Sequence, residues 1–243
     1  MRAITDLHTH TLYSHGKGSI EDNVRVAIKR GLQAVGIADH GPSHFFIGIG
    51  GVDAFRRIKK EIEALRHKYP EVKILFGVEA NIVDTDGTID VAGSILHELD
   101  FLLVGYHKMV RPRSFTFLWQ LARNYWSGWS KTSDALLRAA NTAAITAAVR
   151  RYPIAAITHP GLQINIDTAE LGRVCKEYGT ALEINSSYGN ELEPYISEAL
   201  PTGVGFLLCS DAHVSERVGD FSQAYRLVRQ LKIPEERIVN LEK

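Results

Sequence analysis

Residues 3–10 read Ala-Ile-Thr-Asp-Leu-His-Thr-His, a short run that ends in two histidines separated by one residue. The apolar and β-branched residues of Ala3–Leu7 predict a strand, and the first histidine follows it directly. Ser19 then has the character of a helix N-cap, with Asp22 at the third helical position and Gly31 at the end. The opening of the chain therefore predicts a strand, a histidine-bearing loop and a helix.

The same strand-then-helix unit recurs along the chain. The predicted strands are Ala3–Leu7, Ala34–Ala38, Lys73–Val78, Phe101–Tyr106, Ala155–Thr158, Ala181–Ile184 and Gly205–Ser210. Asp53 is predicted to cap a helix that runs to about His67. Repeated strand–helix units predict an α/β fold with a parallel sheet, either closed into a barrel or open. No low-complexity linker divides the chain, which favours one domain over residues 1–243.

Composition narrows the class of partner. Lysine plus arginine number 28 and so do the acids, so the formal net charge is zero. A protein that coats nucleic acid would carry a basic excess, so nucleic acid is not an expected partner. No run approaches the roughly 20 apolar residues of a membrane span, so no membrane association is expected. Only Cys175 and Cys209 occur; with no disulfide framework, a reducing cytoplasmic location is expected.

The histidines are placed where parallel α/β folds bind ligands. Single histidines or acids end or follow five of the predicted strands, at His8, His40, Glu79, His107 and His159, and Asp211 and His213 follow a sixth. The carboxyl ends of parallel strands form one edge, so these side chains are expected to converge. Residues two apart in extended chain point to the same side, so His8 with His10 and Asp211 with His213 can each bind one ion. Imidazoles and carboxylates without thiolates predict zinc, iron, manganese or cobalt.

Three histidines lack this placement. A single histidine is more often a hydrogen-bonded structural residue than a ligand, and His67 and His97 are predicted on the surface of helical segments. His44 lies in a loop near the predicted site, and both interpretations stay open for it. Cys209 and Cys175 are interpreted as packed core thiols.

A long excursion follows His107 and carries all three tryptophans within residues 111–131. Helical spacing predicts an amphipathic helix with one bulky face formed by Leu118, Leu121, Ala122, Tyr125, Trp126 and Trp129. Two interpretations remain. The helix packs on the barrel wall or at a homo-oligomer interface, which is the more common role of an aromatic stripe, or it is a lid over the site.

The ordered motifs resemble those of the PHP family, named for its polymerase and histidinol phosphatase members. The motifs are Asp6-Leu7-His8-Thr9-His10 with His15, Ala38-Asp39-His40-Gly41-Pro42, Gly77-Val78-Glu79-Ala80-Asn81, Gly105-Tyr106-His107, Thr158-His159-Pro160-Gly161 and Ser210-Asp211-Ala212-His213. The resemblance covers almost the whole chain and is closest to small stand-alone bacterial PHP phosphoesterases. The segment 182–187 favours that branch over histidinol phosphatase.

This resemblance implies a distorted seven-stranded (β/α) barrel with three divalent transition-metal ions (zinc, manganese or iron). It implies a first ion on His8, His10, Glu79 and Asp211, a second on Glu79, His107 and His159, and a third on His15, His40 and His213. Glu79, Asp211, His107 and His159 are the implied catalytic set, with Glu79 bridging two ions. The tryptophan-rich segment 111–131 looks longer than that branch usually has.

Charge selects the chemistry that we expect. Two carboxylates give about −2 and three divalent ions about +6, which leaves about +4 to attract a phosphate dianion. Lys108, Arg111 and Arg113 follow His107 and are candidates for contacting the phosphate of a small substrate; an exposed charge cluster is the alternative. The expected activity is phosphomonoester hydrolysis. The alternatives are a histidinol phosphatase or nuclease of the same family, an amidohydrolase-type C–N hydrolase, and a non-enzymatic metal-carrying module.

Overall fold

The computed structural model describes residues 1–130 and 135–242, with side chains described to residue 126 and again from residue 135. Neighbouring strands run parallel in two sheets, ordered β1-β2-β3 and β4-β5-β6-β7-β8. The strands are β1 Thr5–Asp6, β2 Ala34–Ile37, β3 Lys73–Phe76, β4 Glu79–Asn81, β5 Leu103–Gly105, β6 Ala156–Ile157, β7 Ala181–Asn185 and β8 Phe206–Cys209. All seven predicted strand positions are confirmed. Each observed strand is shorter than predicted except β7, which is one residue longer than the predicted Ala181–Ile184.

Helices connect the strands. They are α1 Ile20–Lys29, α2 Val52–Lys68, α3 Gly93–Leu96, α4 Phe115–Ser130, α5 Ala135–Arg151, α6 Thr168–Tyr178, α7 Glu193–Ala199 and α8 Ser222–Gln230. Short 3₁₀ turns occupy Gly189–Leu192, Leu200–Thr202, Ser215–Arg217 and Glu235–Arg237. Among the described residues, none of these helices combines the length and apolar character that crossing a bilayer requires.

Two isolated parallel bridges close the sheets into a barrel. His40 pairs with Glu79, which joins the end of β2 to the start of β4. Thr9 pairs with Ala212, which joins the ends of β1 and β8. The barrel that the resemblance implied is therefore confirmed over the open sheet. Because single bridges rather than ladders close it, the barrel is distorted, and both bridges lie at the carboxyl edge.

The start of the first helix confirms its predicted signals. The Ser19 hydroxyl accepts from the Asp22 amide, and the Asp22 carboxylate accepts from the Ser19 amide, so both ends of a capping box are present. After the helix, Gly31 adopts φ 69°, the left-handed conformation that glycine tolerates best. These local signals determine where α1 begins and ends.

Two predicted boundaries are wrong. Residues Lys73–Val78 do not form one strand that leads into Glu79. The strand is interrupted at Gly77, and Glu79 is the first residue of β4. A Cβ at Gly77 would lie 2.2 Å from Cζ of Phe101, so the ring occupies the space where a side chain would continue the strand. Asp53 does not cap α2: Gly51 is the N-cap, and Asp53 lies inside the first turn, where its charge favours the helix dipole.

The helix predicted within residues 111–131 is present as α4, but its inward face is not the predicted one. Of the predicted apolar face, Leu121 is buried, whereas Leu118, Tyr125 and Trp126 are exposed; the side chain of Trp129 lies outside the described residues. The face that packs inward is Phe117, Gln120, Leu121 and Asn124.

Polar contacts explain this rotation of the inward face. The Gln120 amide donates to the Tyr106 hydroxyl at 2.8 Å, and the Asn124 amide donates to Oδ1 of Asn141 on α5 at 2.9 Å. Phe117 stacks on Tyr106, with ring centroids 5.8 Å apart. Buried hydrogen bonds thus select the inner face where hydrophobicity alone would have selected the tryptophans.

Candidate metal centre

The carboxyl ends of the strands bring the predicted ligands into one cluster. His8 follows β1, His40 follows β2, Glu79 opens β4, His107 follows β5 and His159 follows β6. All five side chains are buried, and Glu79 is fully inaccessible. Burial of this many ionisable groups is costly unless they bind one another or a cation, so the edge is a candidate site.

Three groups of side chains place one ligand atom each within 4.8 Å of one another. They are His8, His10 and Asp211; His40, Glu79 and His107; and His10, His40 and His213. The remaining predicted ligands are adjacent: the His15 ring lies 4.1 Å from that of His213, and Nε2 of His159 lies 3.0 Å from Oε1 of Glu79. The structure therefore brings all nine predicted ligands together.

The groups overlap the sets implied by the resemblance without reproducing them. His10 and His40 each belong to two of the three groups, His40 groups with Glu79 and His107 as well as with His213, and His15 belongs to none. Overlap of this kind is what a compact cluster of imidazoles produces, because each ring lies close to two neighbours. The assignment of each ligand to a particular ion stays a prediction.

Glu79 divides its two oxygens between the two halves of the cluster. Oε1 lies 3.0 Å from Nε2 of His159 and 3.4 Å from Nε2 of His107, and it accepts the Thr158 hydroxyl at 2.7 Å. Oε2 lies 2.8 Å from Nδ1 of His40 and 3.4 Å from Nε2 of His8. A carboxylate placed in this way can bridge two cations.

Buried polar atoms without hydrogen-bond partners show that the residues suit a cation. Nδ1 of His10, His15 and His40 and Oε2 of Glu79 have none, although His40 Nδ1 and Glu79 Oε2 lie 2.8 Å apart. Nε2 of His8 lies 3.1 Å from Nε2 of His10. Clustered imidazole nitrogens and a carboxylate are the donor set that divalent transition metals prefer, so the residues fit such ions.

Burial and neighbouring charge shift the titration of the imidazoles in opposite directions. Desolvation lowers the pKa of His10 to about 4 and of His15 to about 4, and it lowers the pKa of His40 to about 3. For His8 burial also acts to lower the pKa, but the surrounding carboxylates, chiefly Glu183, outweigh it and raise the pKa well above the usual value. His10, His15 and His40 are thus unprotonated near neutral pH and available as ligands.

The two acids of the cluster are held ionised. Burial acts to raise the pKa of Glu79, but its electrostatic interactions with His40 and His8 outweigh it, and the pKa lies well below the usual value. The same opposition, with His8 and His10 as the main partners, lowers the pKa of Asp211. Interactions with the surrounding imidazoles therefore stabilise both carboxylates as anionic ligands.

Sequence reasoning missed two buried residues that hydrogen-bond ligand imidazoles. Oε1 of Glu183 on β7 accepts Nδ1–H of His8 at 2.6 Å, and Oδ1 of Asn81 on β4 accepts Nδ1–H of His107 at 2.7 Å. Both belong to motifs that carry the family resemblance, and a charged residue in a strand that is buried along its whole length was an available signal. Such partners fix the orientation and tautomer of metal-ligating histidines.

His44 and Tyr188 also adjoin the cluster. The His44 ring lies 5.6 Å from that of His40 and 5.8 Å from that of His107, and desolvation lowers the pKa of His44 to about 4. The Tyr188 ring lies 5.8 Å from that of His159, and burial raises the pKa of Tyr188 to about 12. A neutral imidazole and a neutral phenol thus border the site.

The candidate phosphate-binding residues lie at different positions relative to the cluster. Lys108 is half-buried beside His107, and burial lowers the pKa of its amine. Arg111 and Arg113 are exposed and line a surface cleft of about 520 Å³ together with Ser43, Thr88 and Asp90, and none of the nine predicted ligands lines this cleft.

Pairing of two loops explains the position of Arg111. His44 bridges Val110 in antiparallel fashion, and the Arg111 amide donates to the Ser43 carbonyl at 2.8 Å. Alternation along paired segments turns Arg111 to the face opposite that of His44. A phosphate contact from Arg111 or Arg113 stays a prediction.

Backbone strain is concentrated in the cluster. His159 has φ 28° and Asp211 has φ 51°, and a left-handed backbone is unfavourable for residues with a side chain. Amide Nδ2 of Asn185 donates to Oδ2 of Asp211 at 3.1 Å, and Oε2 of Glu183 accepts the His159 amide at 2.7 Å. These bonds hold both residues in their unfavourable conformation.

Comparisons with known proteins agree with this geometry. The model of the PHP domain matches residues 6–187. A protein named "Probable phosphatase" from Thermoanaerobacter sp. (strain X514) is 33% identical, covering 99% of this chain and 91% of its own length. A second protein with this name, from Caldanaerobacter subterraneus subsp. tengcongensis, is 34% identical, covering 99% of this chain and 88% of its own length. The crystal structure of histidinol phosphate phosphatase from Lactococcus lactis subsp. lactis, complexed with zinc, L-histidinol and phosphate, has a TM-score of 0.63 at 15% identity, over 95% of this chain and 94% of that one.

Proposed function

The chain belongs to the PHP domain family, and from that premise we propose that it is a metal-dependent phosphoesterase that hydrolyses small phosphomonoesters. Three divalent ions of zinc, manganese or iron are proposed as its cofactors. The proposal also takes residues 1–243 as one catalytic domain, with α4 as a surface element of that domain. A phosphorylated metabolite is the proposed substrate, since curated relatives across 99% of the chain are named as phosphatases.

The observation that carries the proposal is the shared use of Glu79 by two halves of a buried imidazole cluster. One carboxylate oxygen faces His107 and His159, and the other faces His8 and His40. An isolated structural histidine would have its ring nitrogens satisfied by hydrogen bonds, whereas several nitrogens here have none. Cation binding accounts for both facts.

The chain's own residues would hold and orient the reacting groups. Bound divalent ions supply Lewis-acid charge stabilisation and an activated water. His8, His10 and Asp211 would hold ions at one end of the cluster, and Glu79 with His107 and His159 at the other. Thr158 fixes Oε1 of Glu79 by its hydroxyl hydrogen bond of 2.7 Å. His44 borders the cluster, Lys108 follows His107 in the chain, and both would orient the phosphate oxygens.

Charge favours a phosphate ester over a neutral amide. Two ligand carboxylates leave a cationic cavity when several divalent ions are bound, and a phosphate dianion compensates that charge better than a neutral group does. The buried walls lower the local dielectric and strengthen this preference. The amidohydrolase alternative also gives no role to His15 and His40, whose rings lie 4.9 Å apart within the cluster.

The test is elemental analysis of the purified protein, paired with turnover of para-nitrophenyl phosphate after loading with zinc, manganese or iron. We expect more than one transition ion per chain and hydrolysis that disappears on chelation and returns on reloading. Matched panels of amides, lactones, bis(para-nitrophenyl) phosphate and single-stranded DNA separate the alternatives. Metal-loaded protein that is inert to every monoester, or that prefers an amide, would overturn the proposal.

A further inference from the structure

Glu183 is a buried carboxylate that ties together two predicted ligands. It lies on β7, is fully inaccessible, and its Oε1 lies 2.6 Å from Nδ1 of His8. Its Oε2 accepts the backbone amide of His159 at 2.7 Å and the side-chain amide of Asn185 at 3.0 Å. One side chain thus fixes a ring at one end of the cluster and a backbone at the other.

The hydrogen bonds of this carboxylate come from donor groups. The imidazole of His8 and the amides of His159 and Asn185 each donate to it. A group that accepts from every side must present lone pairs at both oxygens, which is the pattern of an ionised carboxylate. Glu183 therefore brings a negative charge to the back of His8 without facing the cluster itself.

The hydrogen bond determines the tautomer of His8. With its proton on Nδ1, the ring presents the Nε2 lone pair to the cluster, where Nε2 lies 3.1 Å from Nε2 of His10, 3.4 Å from Oε2 of Glu79 and 3.6 Å from Oδ1 of Asp211. A carboxylate acceptor also makes the imidazole a more basic ligand. An ion that binds His8 therefore needs to displace a proton only from Nε2, because the hydrogen bond to Glu183 keeps the other proton on Nδ1.

His107 at the other end has a weaker partner. Its Nδ1 donates to the neutral amide oxygen of Asn81 at 2.7 Å. The Asn81 amide group is itself held by Oδ2 of Asp90 at 2.7 Å and by the Gly41 carbonyl at 3.3 Å, so its oxygen must face His107. The tautomer is fixed here as well, but the carboxylate on this side of the ring, that of Asp90, contacts Asn81 and not the His107 ring.

From this difference we propose that Glu183 is a positioning residue that makes the His8–His10–Asp211 group the tightest ion-binding part of the cluster, with the His107 end binding its ion more weakly. The inference rests on the proposed metal centre. It assigns Glu183 no contact with substrate. Its effect passes through the His8 ring and the backbone at His159.

The first test follows the metal-free wild-type protein by imidazole ¹⁵N–¹H NMR while the pH is raised until the His8 ring loses its positive charge. We expect His8 and His107 each to show a single Nδ1–H tautomer, with the His8 Nδ1 proton further downfield because its acceptor is charged. In Glu183→Gln the His8 proton should move upfield while the His107 signals stay in place. A neutral His8 ring that carries its proton on Nε2 in the wild type would overturn the inference without any variant being needed.

The second test is zinc titration against a competing chelator. Glu183→Gln should weaken the tightest-bound ion by roughly 10- to 100-fold, the usual effect of removing such a partner. Asn81→Ala should weaken a later-bound ion and leave the tightest one unchanged. Glu191→Gln, the same substitution at an exposed position just after β7, should change neither. Circular dichroism and thermal unfolding of the metal-free variants confirm that each is folded.

The outcomes separate this inference from the proposed function. Tightest-site affinity that is unchanged in folded Glu183→Gln overturns the inference and leaves the phosphoesterase proposal intact. A wild-type protein that binds no zinc overturns the metal centre, and the NMR measurement still determines the His8 tautomer. A Glu183→Gln chain that does not fold leaves the wild-type tautomer and the Asn81→Ala titration to decide, and loss of the tightest ion in Asn81→Ala would contradict the proposed order.

Discussion

The carboxyl edge of the barrel and the outer face of α4 depart from the usual distribution of side chains in opposite ways. At the edge, imidazoles and carboxylates are buried: His8 and Glu79 are both 0% exposed. On α4, Trp119 is 62% and Trp126 61% exposed, with ring centroids 6.4 Å apart. Buried polar groups and exposed aromatics are the two informative exceptions to hydrophobic burial.

The two exceptions carry different amounts of information about function. At the edge, the buried groups specify their own ligand, because distances, burial and donor chemistry all agree on a cation. On α4, the exposed rings specify only that apolar surface is in contact with solvent in this chain. Residue chemistry therefore identifies the occupant of the first region, and the second region supports no comparable assignment.

The largest expected effect comes from breaking the edge. Glu79→Ala removes the carboxylate that faces both halves of the cluster, so ions at both ends should be lost. We expect kcat/KM for para-nitrophenyl phosphate to fall by about 10³-fold or more, since several kcal/mol of charge stabilisation disappear. Metal content by elemental analysis should fall in parallel. Wild-type turnover and full metal content in this variant, with Glu191→Gln as control, would refute the role of Glu79.

An intermediate effect is expected from pH on the metal-free protein. His10 and His40, with folded pKa values of about 4 and about 3, take up protons in the unfolded chain near pH 6.5 but not in the folded one. The unfolded state then binds more protons, so the free energy of unfolding should fall as pH drops from about 6.5 towards 4, by up to about 1.4 kcal/mol per pH unit for each group.

Denaturant titrations at several pH values measure this dependence. His8, whose folded pKa is raised, has the opposite sign: its contribution is present below about pH 6.5 and is lost as pH rises through its folded pKa. In the metal-loaded protein the free energy of unfolding should stay high at lower pH until protons displace the ions. A metal-free protein equally stable at pH 4.5 and pH 6.5 would contradict the burial of unprotonated rings.

The smallest effect is expected on α4. Trp119→Ser with Trp126→Ser should change the free energy of unfolding by about 0.5 kcal/mol or less and leave kcat/KM within about twofold, because both rings are exposed. Phe117→Ala on the inner face of the same helix is the matched contrast and should cost about 3–5 kcal/mol. Sedimentation velocity detects an interface role. A tenfold loss of kcat/KM in the tryptophan variant would instead favour the lid interpretation.

The strands and the first helix were predictable because their signals are local, whereas closure into a barrel was implied only by the family resemblance. Strand-forming runs, the Ser19–Asp22 capping box and Gly31 all lie within short windows of sequence and were found at the predicted places. The break at Gly77 was not predictable, since it depends on the ring of Phe101, which arrives from another strand–helix unit. The inward face of α4 was missed because buried amide bonds to Asn141 override apolar periodicity.

The membership of the cluster was predictable and its supporting contacts were not. Histidines after strands reveal the binding edge without any knowledge of distance. Glu183 and Asn81 act through hydrogen bonds between segments that are far apart in the chain, so spacing in sequence does not reveal which ligand each one contacts. The grouping of ligand atoms likewise depends on ring orientations that only the folded barrel determines.

The left-handed backbone at His159 and Asp211 has a consequence for the evolution of the chain. Glycine or asparagine would occupy either position with less conformational cost, of order 1–3 kcal/mol for a strained residue, so selection for stability and selection for ion binding oppose each other there. Related proteins that no longer bind metal should show substitutions first at these two positions. In a set of related sequences, glycine at either position would mark a lineage that has gained stability and lost metal-dependent activity.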